Sequence, residues 1–299
     1  MKNITIFTPT YNRAYCLDKL YNSLKNQTDK DFVWLIVDDG SSDDTESVVK
    51  SFIVENLIEI SYHKKPNGGK HTAHNLGVEL CETELFCCVD SDDYLTDNAI
   101  EVIKNRYLEV KDKNVLGLYL RRVFHNGKNM ASNYPKGIKF IGISDLYFLH
   151  KFQGETVIVL KTDIVKNYFF PVFEDERFVS ENVLYNQLNG VAPMYLCEDG
   201  IYCCEYLDDG YTKNALKLIA NNPKGAAVSK LSNAVYGKKL VDKTKAYSEY
   251  LSIIKVFNLD KKVFTEFKKP CFIIKVLARI LNLHYYPLYK RIKEENVRS

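Results

Sequence analysis

Four short apolar runs, most of them broken off by a polar cluster, constrain this chain more than any other feature. They read ITIF (4–7), FVWLIV (32–37), IEISYH (58–63) and LFCCV (85–89). Between them apolar residues return at helical spacing, as at Leu17, Leu20, Tyr21 and Leu24. Near-continuous apolar strands have no face to give to water. Alternating with helices, they demand a mostly parallel sheet covered on both sides. Ligands of such sheets gather at the carboxyl ends of the strands. Those ends carry TPTYNR, DDGSSDD and DSDD.

The same pattern predicts a helix over 44–55, with Ser42 or Asp43 as N-cap, and one over 72–81 after the turn PNGG. Strands follow at 115–124 and 156–161, with a hairpin turn at HNGK (125–128). A short helix is expected at 180–189, and the pattern is helical from about 211 to the end. A soft boundary falls near 208–222, and no internal repeat is present.

A chain of 299 residues, 46% hydrophobic and 26% charged, has the makings of one large domain, or one domain and an appendage. Its net charge of +3 gives no case for nucleic acid. The charge is uneven, because residues 261–299 alone hold ten Lys/Arg against three Glu. No apolar run reaches the ~18 residues of a membrane span. The opening MKNITIFTPT lacks the apolar stretch of a secretory leader, so none is expected there. Among eight cysteines, Cys87-Cys88 and Cys203-Cys204 are adjacent pairs and no CxxC occurs. These suit small buried hydrophobes in a reducing cytosol better than a zinc site or a disulfide framework.

The turn after the first strand has no glycine, so GxGxxG is absent, as is GxxxxGK[ST]. A nucleotide must therefore be held in another way. Asp90, Asp92 and Asp93 lie within four residues. Carboxylates this close repel one another and need an offsetting partner. A divalent cation bound through one or two carboxylates and substrate phosphate is such a partner. A helix N-cap is the plainer one.

ITIFTPTYNR, VDDGSSDDT, NGGKHTAHNLGV and VDSDD follow in that order over residues 4–93. Together they resemble family 2 glycosyltransferases of GT-A fold. The resemblance is strong over the first third, moderate to about residue 212 and absent from the distal tail. It implies an α/β fold, a GT-A-type (Rossmann-like) mostly parallel sheet flanked by helices, with a helical C-terminal extension. A catalytic domain would span 1–210, with a nucleotide-sugar-binding half (1–110) and an acceptor-binding half (111–210). A helical region with a basic amphipathic tail would span 211–299.

The resemblance also implies roles for individual residues. Thr8, Pro9 and Tyr11 would pack against the nucleoside base, with Arg13 in the same nucleotide-sugar loop. Asp39 would accept the N3–H of a uracil ring. Asn67, Gly69, Lys70, Asn75 and Ser91 would line the donor phosphate and sugar. Asp90 and Asp92 would hold Mn²⁺ or Mg²⁺, with Asp93 as a supporting or alternative ligand. In SENVLYNQL (180–188), Glu181 takes the place of the family's catalytic Asp. Ser-Glu stands where the family has Glu-Asp, and Gln187 where it has Arg.

Plainer readings accompany these. Asp39 beside Gly40 could be a turn residue and Lys70 a surface lysine. His71 and His74 are expected on a helix surface. Glu174, Asp175 and Glu176 are expected in a solvated acidic loop, and Glu155 is a weaker acceptor-binding candidate. The activity implied is a cytoplasmic, metal-dependent, inverting transfer from a UDP-sugar. The acceptor would be a hydroxyl of a glycan or lipid-linked saccharide in bacterial surface-polysaccharide synthesis. A sugar nucleotidyltransferase and a nucleotide-sugar-binding module without catalysis are the rivals. The tail, residues 268–293, reads either as a contact for an anionic membrane surface, with peripheral attachment, or as a helix packed on the protein.

Overall fold

The computed structural model describes residues 2–124, 127–204 and 215–298. The first half of the HNGK turn (125–126) and the stretch 205–214, into which the boundary expected near 208–222 partly falls, lie outside the described residues. The chain forms two compact units. Unit 1 is Met1–Phe169 with Gly190–Leu207, and unit 2 is Phe170–Asn189 with Asp208–Ser299.

Unit 1 runs β1 (Ile4–Thr10), α1 (Leu17–Lys25), β2 (Phe32–Asp38), α2 (Thr45–Glu55), β3 (Ile60–Lys64), α3 (Lys70–Leu80) and β4 (Leu85–Cys88). It continues with β5 (Tyr94–Leu95), α4 (Ala99–Leu108), β6 (Gly117–Val123), β7 (Phe140–Ile141), α5 (Asp145–His150), β8 (Thr156–Lys161) and α6 (Thr162–Val165). After α7 (Asn182–Leu188) of unit 2, β9 (Met194–Cys203) returns to the sheet. The strand order is β3-β2-β1-β4-β8-β6-β9-β5, with β7 also on β9. The four strands expected from the first ninety residues pair in parallel. Beyond them the sheet is mixed. β8 runs antiparallel to β4 and β6, β9 parallel to β6, and β5 and β7 antiparallel to β9. Parallel pairing needs a long crossover, and the regular strand–helix alternation that supplies it stops after α4.

The period-2 alternation of β1 decides what covers each face. Ile4 and Ile6 join the core with Leu17, Leu20 and Leu24 of α1, Val49 and Phe52 of α2, and Ile100 and Ile103 of α4. Phe7 points the other way and stacks on Phe86, with ring centroids 5.1 Å apart. His74 of α3 meets both rings edge-on, at 5.7 and 5.4 Å. α3 can sit this close because a Cβ on Gly77 would lie 2.4 Å from the Phe7 ring. His71 and His74 are therefore buried, not on the helix surface as expected. The face of α3 that carries them is the one that covers the sheet.

Connections from β1 build outward through β2 and β3, and the chain then crosses back to place β4 on the other side of β1. The strand order thus reverses between β1 and β4. That is the position at which doubly wound sheets bind ligands.

Unit 2 is helical, with α8 (Ala215–Asn221), α9 (Pro223–Tyr236), α10 (Leu240–Val256) and α11 (Phe272–Arg298) beside α7. Residues 170–189 were expected with the sheet. They pack instead on α9, where Asn182 and Asn186 both donate to Asn233 Oδ1, at 2.8 and 2.9 Å. α11 lies on α10 through Ile274, Ala278, Tyr289 and Ile292, and Asn282 donates to Ser252 Oγ at 2.8 Å.

Candidate active site

The loop after β1 and the loop after β2 are tied together by hydrogen bonds. Asn12, at φ 52°, accepts from Ser42 N at 2.8 Å and donates its own N–H to Ser41 Oγ at 2.8 Å. Arg13 N reaches Thr45 Oγ1 at 3.1 Å, and Ala14 N reaches Asp43 Oδ2 at 3.1 Å. Asp43 also accepts from Thr45 N at 3.0 Å and so organises the start of α2, but the N-cap is Asp44 and not Ser42 or Asp43 as expected.

The two aspartates after β2 divide between frame and loop. Asp38 is fully buried and accepts from Ser41 N at 2.7 Å and from the Tyr62 hydroxyl at 2.6 Å. Asp39 is buried too, and its carboxylate takes Lys65 Nζ at 2.6 Å, Gly68 N at 2.9 Å and Gly69 N at 2.7 Å. It thereby fixes the PNGG loop. Gly69 stands at φ 93°, where an L side chain is strained, and opens α3. The loop delivers Lys70 to the first turn of α3, next to the positive end of the helix dipole.

Lys70 Nζ lies 2.7 Å from Asp90 Oδ1, which joins the α3 start to the end of β4. Burial pushes the Asp90 carboxyl up, but Lys70, and then Arg122 and Arg13, outweigh it and hold the group below the ordinary aspartate value. Asp92 shifts the other way, raised by burial and by the charge of Asp90. Asp93 is pushed up to about 6 by burial and by Asp90, against a hydrogen bond from the Tyr202 hydroxyl at 2.8 Å. The same hydroxyl accepts from Asp90 N at 3.0 Å. Arg122 crosses the face of the Tyr202 ring at 4.4 Å and pairs with Glu155 at 2.7 Å.

Several residues expected at the site therefore converge. Arg13, Asp39, Gly69, Lys70, Asp90 and Asp92 stand at the carboxyl ends of β1, β2 and β4 or at the start of α3. Tyr11 is 49% exposed beside them, and Asn67 and Asn75 are half-buried in the loop before α3 and on α3. Ser91 is buried between Asp90 and Asp92, and Pro9 is buried within β1. Other residues do different work. Thr8 is inside the sheet and accepts from Trp34 Nε1 at 3.0 Å. Asp93 turns its carboxylate to Tyr202. Glu181 belongs to unit 2, at the exposed N-cap of α7. Glu176 is no solvated loop residue, because it is buried and accepts from Lys224 N and Gly225 N, both at 2.7 Å. Glu174 and Asp175 are exposed as expected.

Lys65, Thr10, Arg122 and Tyr202 escaped the sequence reading. Thr10 Oγ1 is buried at the end of β1 without a hydrogen-bond partner among the described residues. Arg122 had one visible signal, a pair of arginines, Arg121 and Arg122, inside an otherwise apolar strand. Nothing near Tyr202 in sequence points to the DSDD segment.

The donor set suits a hard divalent cation. Asp90 and Asp92 offer carboxylate oxygens, and burial first, then the charge of Asp90, raises the Asp92 carboxyl, a cost that a bound cation would offset. Among the described residues, no three His, Cys, Asp or Glu side chains form a metal-holding group. Two carboxylates fit a cation that draws its other ligands from phosphate and water.

The family described as Glycosyl transferase family 2 matches residues 5–169. A GalNAc(5)-diNAcBac-PP-undecaprenol beta-1,3-glucosyltransferase of Campylobacter jejuni is 28% identical over 204 residues, 66% of this chain and 62% of that protein. The poly(ribitol-phosphate) beta-N-acetylglucosaminyltransferase TarP of Staphylococcus aureus is 31% identical over 212 residues, 69% of this chain and 58% of that one. The chain thus spans about three fifths of the length of these two relatives. Among solved structures, S. aureus TarS 1-349 in complex with UDP-GlcNAc superposes with a TM-score of 0.65 at 16% identity, covering 99% of this chain and 92% of that one. The mannosyltransferase PcManGT of Pyrobaculum calidifontis, with GDP-Man and Mn²⁺, gives 0.54 at 12% identity, over 99% and 85% of the two chains. At these identities the structural likeness bears on the fold alone, and the fold is of GT-A type.

Proposed function

The chain belongs to glycosyl transferase family 2, and from that premise we propose that it moves a sugar from a UDP-sugar to an acceptor hydroxyl with inversion. The acceptor class is a glycan or a lipid-linked saccharide of a bacterial surface polymer. Two relatives named for β-linked products on an undecaprenol-linked saccharide and on poly(ribitol-phosphate) support this class. Such acceptors are met at the cytoplasmic face of a membrane. No helix among the described residues is long and apolar enough to cross one.

The observation that carries the reading is the meeting of four sequence-distant motifs at the strand-order reversal, closed by the 2.7 Å contact of Lys70 with Asp90. Tyr11 presents an exposed ring to the base, with Pro9 buried in β1 behind it. Asp39, clamped by Lys65 and by the Gly68 and Gly69 amides, keeps one lone pair of Oδ2 for a uracil N3–H. Asn67, Gly69, Asn75 and Ser91 border the phosphates and sugar. Arg13 and Lys70 supply positive charge beside the diphosphate. Asp90 and Asp92 are the residues that would hold Mn²⁺ or Mg²⁺, which offsets the charge growing on the departing diphosphate. Asp93, through Tyr202, positions that pair.

In the transfer step the acceptor oxygen attacks the anomeric carbon from the face opposite UDP. The carbon–oxygen bond to UDP breaks as the new bond forms, so an α-linked donor gives a β-linked product. Glu181 takes the hydroxyl proton as general base, the role that its motif position supplies.

UDP release from a panel of UDP-sugars, with and without a saccharide acceptor, tests the reading. Metal-dependent release that the acceptor accelerates, with a β-configured product by NMR, is the expected result. Binding without any turnover would favour the non-catalytic module.

A further inference from the structure

α11 carries two apolar faces, and the described residues, chiefly α10 with some contact from α8, cover only one. Ile274, Ala278, Tyr289 and Ile292 are buried on α10. Phe272, Ile273, Val276, Leu277, Ile280 and Leu281 point outward, with Phe272 76% and Ile280 68% exposed. They fall in pairs four residues apart, which makes one continuous stripe along the helix. A helix held by one face needs no second apolar stripe. Contiguous exposed apolar surface of this kind marks a docking site.

Charge identifies the partner. From Phe267 to Lys293 the chain has seven Lys/Arg and no Asp or Glu. Lys275 and Arg279 are one helical turn apart and border the stripe on the side nearest the packed face. At the far end, Lys290 and Arg291 pair with Glu294 and Glu295. The uncompensated positive charge is therefore concentrated beside the apolar stripe in the first half of α11. A two-fold contact with a second copy would set these basic flanks against each other, with no carboxylate in the segment to pair them. An anionic surface with an apolar interior answers both halves of the pattern.

We propose that this outer face of α11 docks the protein on an anionic lipid bilayer. The apolar stripe lies among the acyl chains at the interface, and Lys275, Arg279 and Lys268 meet the headgroup phosphates. The sequence left two roles for this segment, packing and membrane contact, and the helix has a separate face for each. The inference stands apart from the transfer reading, since it uses no residue of unit 1.

The test is co-sedimentation of the full chain with vesicles of phosphatidylcholine alone and of phosphatidylcholine with phosphatidylglycerol. Two variants are compared, Phe272→Ser/Ile273→Ser/Ile280→Ser and Lys275→Gln/Arg279→Gln. All five positions lie away from the α10 contact. An unchanged far-UV spectrum and melting temperature check that the variants remain folded. The expected result is strong binding to the anionic vesicles and weak binding to the neutral ones. The apolar variant should lose binding at least tenfold. The charge variant should lose it on anionic vesicles only, and added salt should mimic that loss. Wild-type protein left in the supernatant, or binding that neither variant changes, would overturn the proposal. A concentration-dependent dimer that the apolar variant abolishes, with no vesicle binding, would assign the face to a second copy instead.

Discussion

Unit 1 and unit 2 both bury carboxylates, and the partners differ in kind. In unit 1 the buried or half-buried acids Asp39, Asp90 and Asp93 stand at strand ends, bound to a loop amide, a lysine or a tyrosine hydroxyl, with Asp92 raised beside them. In unit 2 the buried acid Glu176 accepts the first amides of α9, and the acid that the motif marks for chemistry, Glu181, is exposed. Burial alone does not mark function. A buried acid whose partners close a helix end is finished as a structural element. A set of acids held at strand ends, with Asp92 and Asp93 raised by burial and by Asp90, is prepared for something that arrives.

This difference predicts three separable phenotypes. The largest belongs to Glu181→Gln. Loss of a general base costs about 10²–10⁴ in rate, roughly 3–5 kcal/mol of barrier. UDP affinity should not move and melting temperature should move little, because Glu181→Gln keeps the side chain's size at an exposed position that belongs to none of the donor-site motifs. Transfer within a few-fold of wild type would place the base elsewhere.

Asp39→Asn should move both stability and affinity. It removes the charge that holds Lys65 and weakens the clamp on the Gly68 and Gly69 amides. The expected cost is about 1–3 kcal/mol of stability, with at least tenfold weaker UDP binding by calorimetry. A variant as stable as wild type would mean that the loop is held by its turn chemistry alone.

The smallest effect belongs to Glu176 and shows as a pH dependence. Burial raises its carboxyl above the ordinary glutamate value, against the pull of the Gly225 and Lys224 amides. The folded state therefore keeps the proton longer than the unfolded chain. The stability from this group is fully present below about 4.3, the unfolded value, and is lost as pH rises through the raised folded value. Glu176→Gln cannot titrate, so its melting temperature should gain on wild type as pH rises above about 4.3. Parallel profiles would contradict the assignment. UDP binding should be unaffected throughout.

The legible part of the molecule was the part with a period. β1, β2, β4 and β8 lie within a few residues of the runs expected from apolar continuity, and β8 coincides with 156–161. What the period could not show was the partner across the sheet. Tyr202 reaches Asp90 and Asp93 from a strand more than a hundred residues away. His71 and His74 read as surface residues because polarity was taken for exposure, while the rings pack edge-on against Phe7 and Phe86. Asp39 was legible as a candidate, but its use of both oxygens within the fold was not, since that depends on where the PNGG loop lands. The assignment of residues 170–189 to unit 2 rests on Asn182, Asn186 and Asn233, polar contacts that leave no mark in hydropathy.

The central claim is that the segment after β4, with Lys70, forms the diphosphate end of a donor site. A calorimetric titration of UDP into wild type and Asp92→Asn, with and without Mn²⁺, tests it most directly. The account predicts one-site binding to wild type that Mn²⁺ strengthens, and binding to Asp92→Asn that Mn²⁺ leaves unchanged while the fold is kept. Equal Mn²⁺ dependence in the two proteins, or no UDP binding by wild type under either condition, would contradict it.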